Sequence, residues 1–159
     1  DNGGVYFIPA FSGLFAPYWR EDARGIISGL THYANRGHIA RAALEATAFQ
    51  SAEIFNLMSR ETGLALDCLK VDGGMTANKL LMQFQADVLN VPVIRPKVTE
   101  TTALGVAFLA GLQVGMYDNL KDIGEIWQQD AMCEPIMSEE VRQRYYLGWQ
   151  KALSRVKAH

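Results

Sequence analysis

The period of apolar residues changes several times along the chain, and each change marks an element. Residues 5–11 (VYFIPAF) are aromatic and β-branched with Pro9 near the end. That pattern predicts a strand at a sheet edge or one that ends early. Residues 12–24 (SGLFAPYWREDAR) carry Gly13, Pro17 and aromatic rings without a period and read as a loop. Residues 25–31 (GIISGLT) read as a second short strand. From about residue 37 to residue 61, Ile39, Ala42, Ala43, Ala46, Phe49 and Ile54 recur at helical spacing. This predicts one long helix, stopped by Gly63. The small side chains of Ala42, Ala43 and Ala46 suit close approach to a sheet.

Strands and helices alternate after that. Residues 69–71 begin a strand. A helix follows in which Ala77, Leu80, Leu81, Phe84 and Val88 share one face, with Thr76 as the candidate cap. Residues 91–95 (VPVIR) form the next strand, closed by Pro96. Residues 101–115 (TTALGVAFLAGLQVG) read as a buried helix capped by Thr101 or Thr102 and ended by Gly115. Residues 118–129 predict a short amphipathic helix or turn. Residues 138–157 predict a terminal helix, with Glu139 and Glu140 early and Lys151, Arg155 and Lys157 late, as the helix dipole favours. A strand–helix–strand unit demands a parallel pair joined by a crossover, so the fold class is α/β.

Composition narrows the function. The 159 residues suit one domain or one compact part of a larger protein. Apolar residues make up 49% and charged residues 20%, with a net charge of −2 and no Lys/Arg block. A nucleic-acid surface needs a basic stripe, so no nucleic-acid partner is expected. No run approaches the roughly 18 apolar residues of a membrane helix, so no membrane partner is expected either. The chain begins Asp1-Asn2-Gly3-Gly4 without Met, which reads as an excised piece. Cys68 and Cys133 lie far apart and form no C-x-x-C pair. They read as free thiols in a reducing, cytoplasmic setting. His32, His38 and His159 have no partner at ligand spacing, so no metal site is expected in the chain.

The chemistry concentrates at Asp72-Gly73-Gly74. A paired-glycine turn between a strand and a helix presents backbone N–H groups with no side chain in the way, where a phosphate or nucleoside can be held. The same turn also occurs where glycine only supplies a positive φ. A dinucleotide-binding unit would need G-x-G-x-x-G and an acid after the next strand. Here the turn reads G-G-M-T-A-N and the strand ends in Arg95, a residue suited to the 2′-phosphate of NADP. No G-x-x-x-x-G-K-[ST] phosphate loop exists. Asn78, about one turn into the helix, has an amide that suits an adenine edge or a ribose. It equally suits a bond to local backbone, and spacing leaves the two open.

Taken together, three long segments resemble the carboxy-terminal part of the FGGY family of sugar and polyol kinases. VDGGMTANKLLMQFQADVL with VPVIRP is similar to that family's adenosine-binding turn and helix, and ETTALGVAFLAG to the helix after it. GIISGLTHYANRGHIARAALEA fits the family's second signature through Gly25, Ile27, Gly29, Leu30, His38, Ile39, Ala42, Ala43, Leu44 and Glu45. The loop PAFSGLFAPYWREDARG resembles the glycerol-phosphorylating branch in particular. The resemblance implies a mixed sheet flanked by helices, part of an actin-like, ribonuclease-H-like ATPase lobe. It implies that residues 1–159 are the adenosine-binding lobe without its beginning and without the first lobe. It further implies ATP and Mg²⁺ as cofactors, glycerol as acceptor, and a homo-oligomer, dimer or tetramer, as the full-length form. Gly73, Gly74 and Asn78 match the nucleotide-contacting segment. The catalytic Asp, the phosphate hairpin and the polyol pocket of the family have no counterpart in this chain, and Asp72 serves to shape the turn. The rival readings are another FGGY kinase, an NADP-binding domain and a non-catalytic actin-like ATP-binding module. Residues 135–150 resemble a segment to which some relatives bind a regulatory protein, but Val141 stands where that contact uses Glu.

Overall fold

Asn35 sets the start of the longest element. Its Oδ1 accepts from the amides of Gly37 and His38 at 2.9 and 3.2 Å, and His38 Nδ1 accepts from the Asn35 amide at 3.3 Å. This reciprocal cap satisfies N–H groups that a helix start leaves open. It begins α1 (Arg36–Thr62), and Gly63 at φ +70° closes it. The computed structural model describes residues 1–157, so His159 lies outside the described residues.

The two short strands predicted first are β1 (Tyr6–Ile8) and β2 (Ile26–Ser28), an antiparallel pair. Between them the loop is cinched by reciprocal backbone bonds of Leu14 and Arg20, at 2.7 and 2.8 Å. Its aromatic residues divide. Tyr18 is pinned inward, donating its hydroxyl to Glu53 and lying under Lys157 Nζ at 3.3 Å. Phe15 and Trp19 stay exposed.

The second sheet has the order β3 (Leu69–Lys70), β4 (Val93–Pro96), β5 (Gln129–Cys133). β3 and β4 are parallel, joined through α2 (Lys79–Leu89); β4 and β5 are antiparallel. A mixed sheet flanked by helices is therefore observed. Strand β5 was not predicted: Gln, Asp, Ala, Met and Cys carry little strand preference, and most of β5 faces solvent. The predicted amphipathic segment is α4 (Leu120–Ile126), and the predicted terminal helix is α5 (Glu139–Lys157).

α1 packs on α2 and β1, and α5 packs on β1 and α2. Ala42 and Ala46 are buried as predicted, whereas Ala43 faces solvent; Ala48 and Ala52 complete the small-residue face. Phe49 is the hub of the core. It stacks on Trp149 at 4.9 Å and meets Phe84 edge-on at 5.4 Å. Two buried carboxylates are matched inside this core. Glu53 accepts from Trp149 Nε1 at 3.0 Å as well as from Tyr18. Glu45 accepts from Arg41 Nε at 2.6 Å and Asn2 Nδ2 at 2.9 Å. Burial pushes the Glu45 carboxyl above its ordinary range, and Arg41 and Asn2 work against that.

The helix predicted as buried, α3 (Thr101–Gln113), is not. Gly111 is its one buried residue, and Val106 and Leu109 are about two-thirds exposed. A stripe through Thr101, Leu104, Gly105, Phe108, Gly111 and Leu112 is half-buried or buried, with Phe108 edge-on to Tyr117 at 5.7 Å. A helix apolar on all sides carries no signal of which side is covered. Neither threonine caps it: Glu100 precedes the helix without a side-chain cap bond.

Two outcomes follow. Phe49→Ala should lower stability by about 3–5 kcal/mol, the cost of an aromatic cavity in a packed core, read from denaturant unfolding. A loss no larger than that of a surface substitution would remove Phe49 from the hub. Burial also holds the phenols of Tyr6, Tyr18 and Tyr145 above their ordinary value, helped for Tyr18 by the bond it donates to Glu53. In the unfolded chain they ionise near pH 10, so above that pH the unfolded state binds fewer protons and stability falls. The urea midpoint should drop between mildly and strongly alkaline buffer, and Tyr18→Phe should blunt the drop.

Candidate functional site

β3 and β4 run parallel, so the segments leaving their carboxyl ends emerge side by side. In open α/β sheets that is where ligands sit. The ladder continues one step past β3 through Val71 N to Ile94 O at 3.0 Å. The chain then turns at Asp72 and Gly73. Gly73 has φ +85° and ψ 170°, a backbone essentially reserved for glycine. Its N–H donates to Thr99 O at 3.1 Å, which ties the turn to the segment between β4 and α3.

Gly74–Ala77 is a single 3₁₀ turn. Gly74 is exposed, and a Cβ placed on it would meet open space. It occupies the first helical position, where an N–H has no intrahelical acceptor. Thr76, the predicted cap of α2, does something else. It is buried, and its Oγ1 donates to Gly73 O at 2.7 Å, closing the turn on itself.

The cap of α2 is Asn78. Its Oδ1 accepts from Leu80 N and Leu81 N, both at 3.1 Å. The side chain is exposed, and with the oxygen engaged the Nδ2 group remains available as a double donor. Asn78 thus caps the helix rather than lying about one turn into it, because the 3₁₀ turn uses up residues that look helical. Asp72, expected to shape the turn, is exposed, and its carboxylate makes no hydrogen bond among the described residues.

Three residues were missed or misread from sequence. Thr99 acts through its backbone carbonyl, which no side-chain pattern reveals. Arg95, a candidate for a 2′-phosphate, is engaged within the chain. Its Nη1 donates to Thr76 O at 2.8 Å, and its Nε and Nη2 both donate to Asp130 Oδ2, the former at 3.0 Å. That occupation argues against the dinucleotide reading. Asp130 lies on the unpredicted β5.

A cavity of about 480 Å³ runs beside the turn between α2 and the sheet, lined by Lys79, Leu80, Met82, Gln83, Val93 and Cys133 among others. Cys68 and Cys133 are both free and half-buried. Among the described residues no three His, Cys, Asp or Glu side chains gather as a metal site.

The geometry is thus a bare, preformed turn at the carboxyl end of a parallel pair, with one amide donor at the next helix start. Comparison with known proteins places the chain in a family. Residues 1–114 match the model of the FGGY family of carbohydrate kinases, C-terminal domain. Over 155 residues the chain is 59% identical to a glycerol kinase of Acidiphilium cryptum and 61% identical to one of Renibacterium salmoninarum. In each case 98% of the chain is covered, and the chain spans 31% of the relative's length. Among solved structures it is similar to Plasmodium falciparum glycerol kinase with ADP, at TM-score 0.87 and 42% identity over 98% of this chain and 31% of that one. It is also similar to a gluconate kinase of Lactobacillus acidophilus, at TM-score 0.78 and 25% identity over 99% of this chain and 31% of that one. The α/β fold is the one these kinases share, and the chain belongs to the FGGY family of carbohydrate kinases.

Proposed function

We propose that the whole protein is a glycerol kinase, ATP + glycerol → ADP + glycerol 3-phosphate, and that residues 1–159 form its adenosine-binding lobe. The observation that carries the acceptor is the gap in similarity. Identity is 59–61% to glycerol kinases but 25% to the gluconate kinase at nearly equal coverage. Another FGGY sugar or polyol kinase is the second reading, because the residues that select the acceptor are not among these.

In this reading Gly73, Gly74 and Asn78 hold the nucleotide. The residues fit an adenosine in three ways. Gly74 leaves open space where a side chain would stand. Its N–H has no intrahelical acceptor. Asn78 keeps Nδ2 free while its Oδ1 fixes the helix start. The turn's conformation is set by the protein, so little ordering is left for binding to supply. The task of this lobe is positional: to hold adenosine so that the γ-phosphate reaches an acceptor hydroxyl held elsewhere in the whole protein. Mg²⁺ would neutralise charge on the phosphates; among the described residues no three His, Cys, Asp or Glu side chains gather to hold it. The base that accepts the glycerol proton, in this reading, belongs to the part of the whole protein outside these residues.

A cytoplasmic setting and a dimer or tetramer complete the proposal. Two free thiols support the first, and the exposed rings of Phe15 and Trp19 support the second. No helix among the described residues is long and apolar enough to cross a membrane.

An acceptor screen on the full-length protein should show fastest turnover with glycerol. The 159-residue chain alone should form no ADP when glycerol is added. Faster turnover of another polyol or sugar would overturn the acceptor, and glycerol-dependent ADP from the clean chain would overturn the division of labour. In the full-length protein, Asn78→Ala should weaken ATP by about 1 kcal/mol, the scale of one hydrogen bond, with glycerol binding little changed. An unmoved KM for ATP would reduce Asn78 to a helix cap.

A further inference from the structure

We infer that Arg95, held by Asp130, is a positioning residue for the nucleotide turn. The inference rests on reading that turn as the adenosine grip. Gly74, Met75, Ala77 and Asn78 are all exposed, so the turn that carries the grip has few packing contacts of its own. Such a segment opens readily unless something outside it holds it. Two long-range bonds do so. Gly73 N to Thr99 O fixes its entrance. Arg95 Nη1 to Thr76 O fixes its middle, two residues after Gly74 and two before Asn78.

The guanidinium reaches Thr76 O because its other edge is anchored. On β4 and β5, Arg95 pairs with Ala131 and Pro96 pairs with Gln129, so Asp130 is the extra residue of a β-bulge. Bulges re-aim a side chain. Here the bulge sets the Asp130 carboxylate against Arg95 Nε and Nη2. Arg presents donors on both edges of one rigid plane, so a single side chain spans carboxylate and carbonyl at once. A lysine ammonium has the charge but not the span. The pair is partly exposed, with side chains 23% and 43% accessible. Ion pairs in that setting add little net stability. What the arrangement supplies is a fixed position for the turn, which a binding site needs from the residues behind it.

The test compares Arg95→Met, Arg95→Lys and Asp130→Asn in the full-length protein, with Asn78→Ala alongside. ADP affinity is read by calorimetry, KM for ATP and for glycerol with kcat by steady state, and thermal midpoint by calorimetric unfolding. Arg95→Met should raise KM for ATP and the Kd of ADP about five- to tenfold, the scale of one lost hydrogen bond. The KM for glycerol, kcat and the thermal midpoint should move little. Arg95→Lys should recover less than half of the loss despite keeping the charge. Asp130→Asn should shift ADP affinity the same way by a smaller factor, and it keeps the inference testable if Arg95→Met folds poorly. A lowered midpoint with ADP affinity unchanged would make Arg95 a structural residue and overturn the inference. If Asn78→Ala weakens ADP while the Arg95 and Asp130 variants do not, the inference falls and the adenosine reading stands. If none of the four changes ADP binding, both fall.

Discussion

At Gly73 the chain leaves β3 with φ +85° and ψ 170°, a geometry that any side chain would resist. Everything specific about the site follows from that bend. It turns the chain out of β3 and into the 3₁₀ segment at the carboxyl end of a parallel strand pair. It brings the Gly73 N–H onto Thr99 O, so the two segments leaving β3 and β4 become one rim. It starts the 3₁₀ turn with Gly74 facing open space, and it delivers Asn78 to the mouth of α2. A residue with a Cβ at position 73 would force the bend to relax, and the amide, the carbonyl and the cap would lose their common register.

The rest of the molecule keeps this bend where it is. α2 is anchored from behind, because Phe84 meets Phe49 and Tyr145 edge-on and Gln85 Nε2 donates to Ala48 O of α1. At the other end of α2, buried Asp87 accepts from the amides of Ile136 and Met137, which docks the lead-in to α5. The helix that begins at Asn78 therefore cannot shift without disturbing the aromatic core. In front, β4 supplies Arg95. The turn is held between an apolar core that fixes α2 and a polar frame that fixes the sheet.

How much of this was legible in the chain depended on whether the signal was local. α1 was readable because Ile39, Ala42, Ala46 and Phe49 repeat at helical spacing and Gly63 ends the run. The glycine turn was readable because only glycine fits its backbone. Asn78 could be singled out but not assigned, since the same amide serves a helix cap or a ligand; its oxygen proves to cap, and its nitrogen is left free to donate. Thr76 was misread because a 3₁₀ turn and a helix start look alike in sequence. α3 was read as buried because an all-apolar helix does not say which face is covered. β5 and Asp130 were missed because a short, exposed strand of Gln, Asp, Ala, Met and Cys has no pattern, and its purpose appears only when a bulge sets Asp130 against an arginine 35 residues away. Where spacing alone left two readings of Asn78 open, family resemblance favours a nucleotide contact.

The most direct test of the central claim is a crystal structure of the full-length protein with ADP. The account predicts the adenosine seated on the turn, with the Gly74 backbone and Asn78 Nδ2 within hydrogen-bond distance of it and the Arg95–Thr76 bond intact. Adenosine bound elsewhere, with the turn empty and Asn78 serving only as a cap, would contradict it.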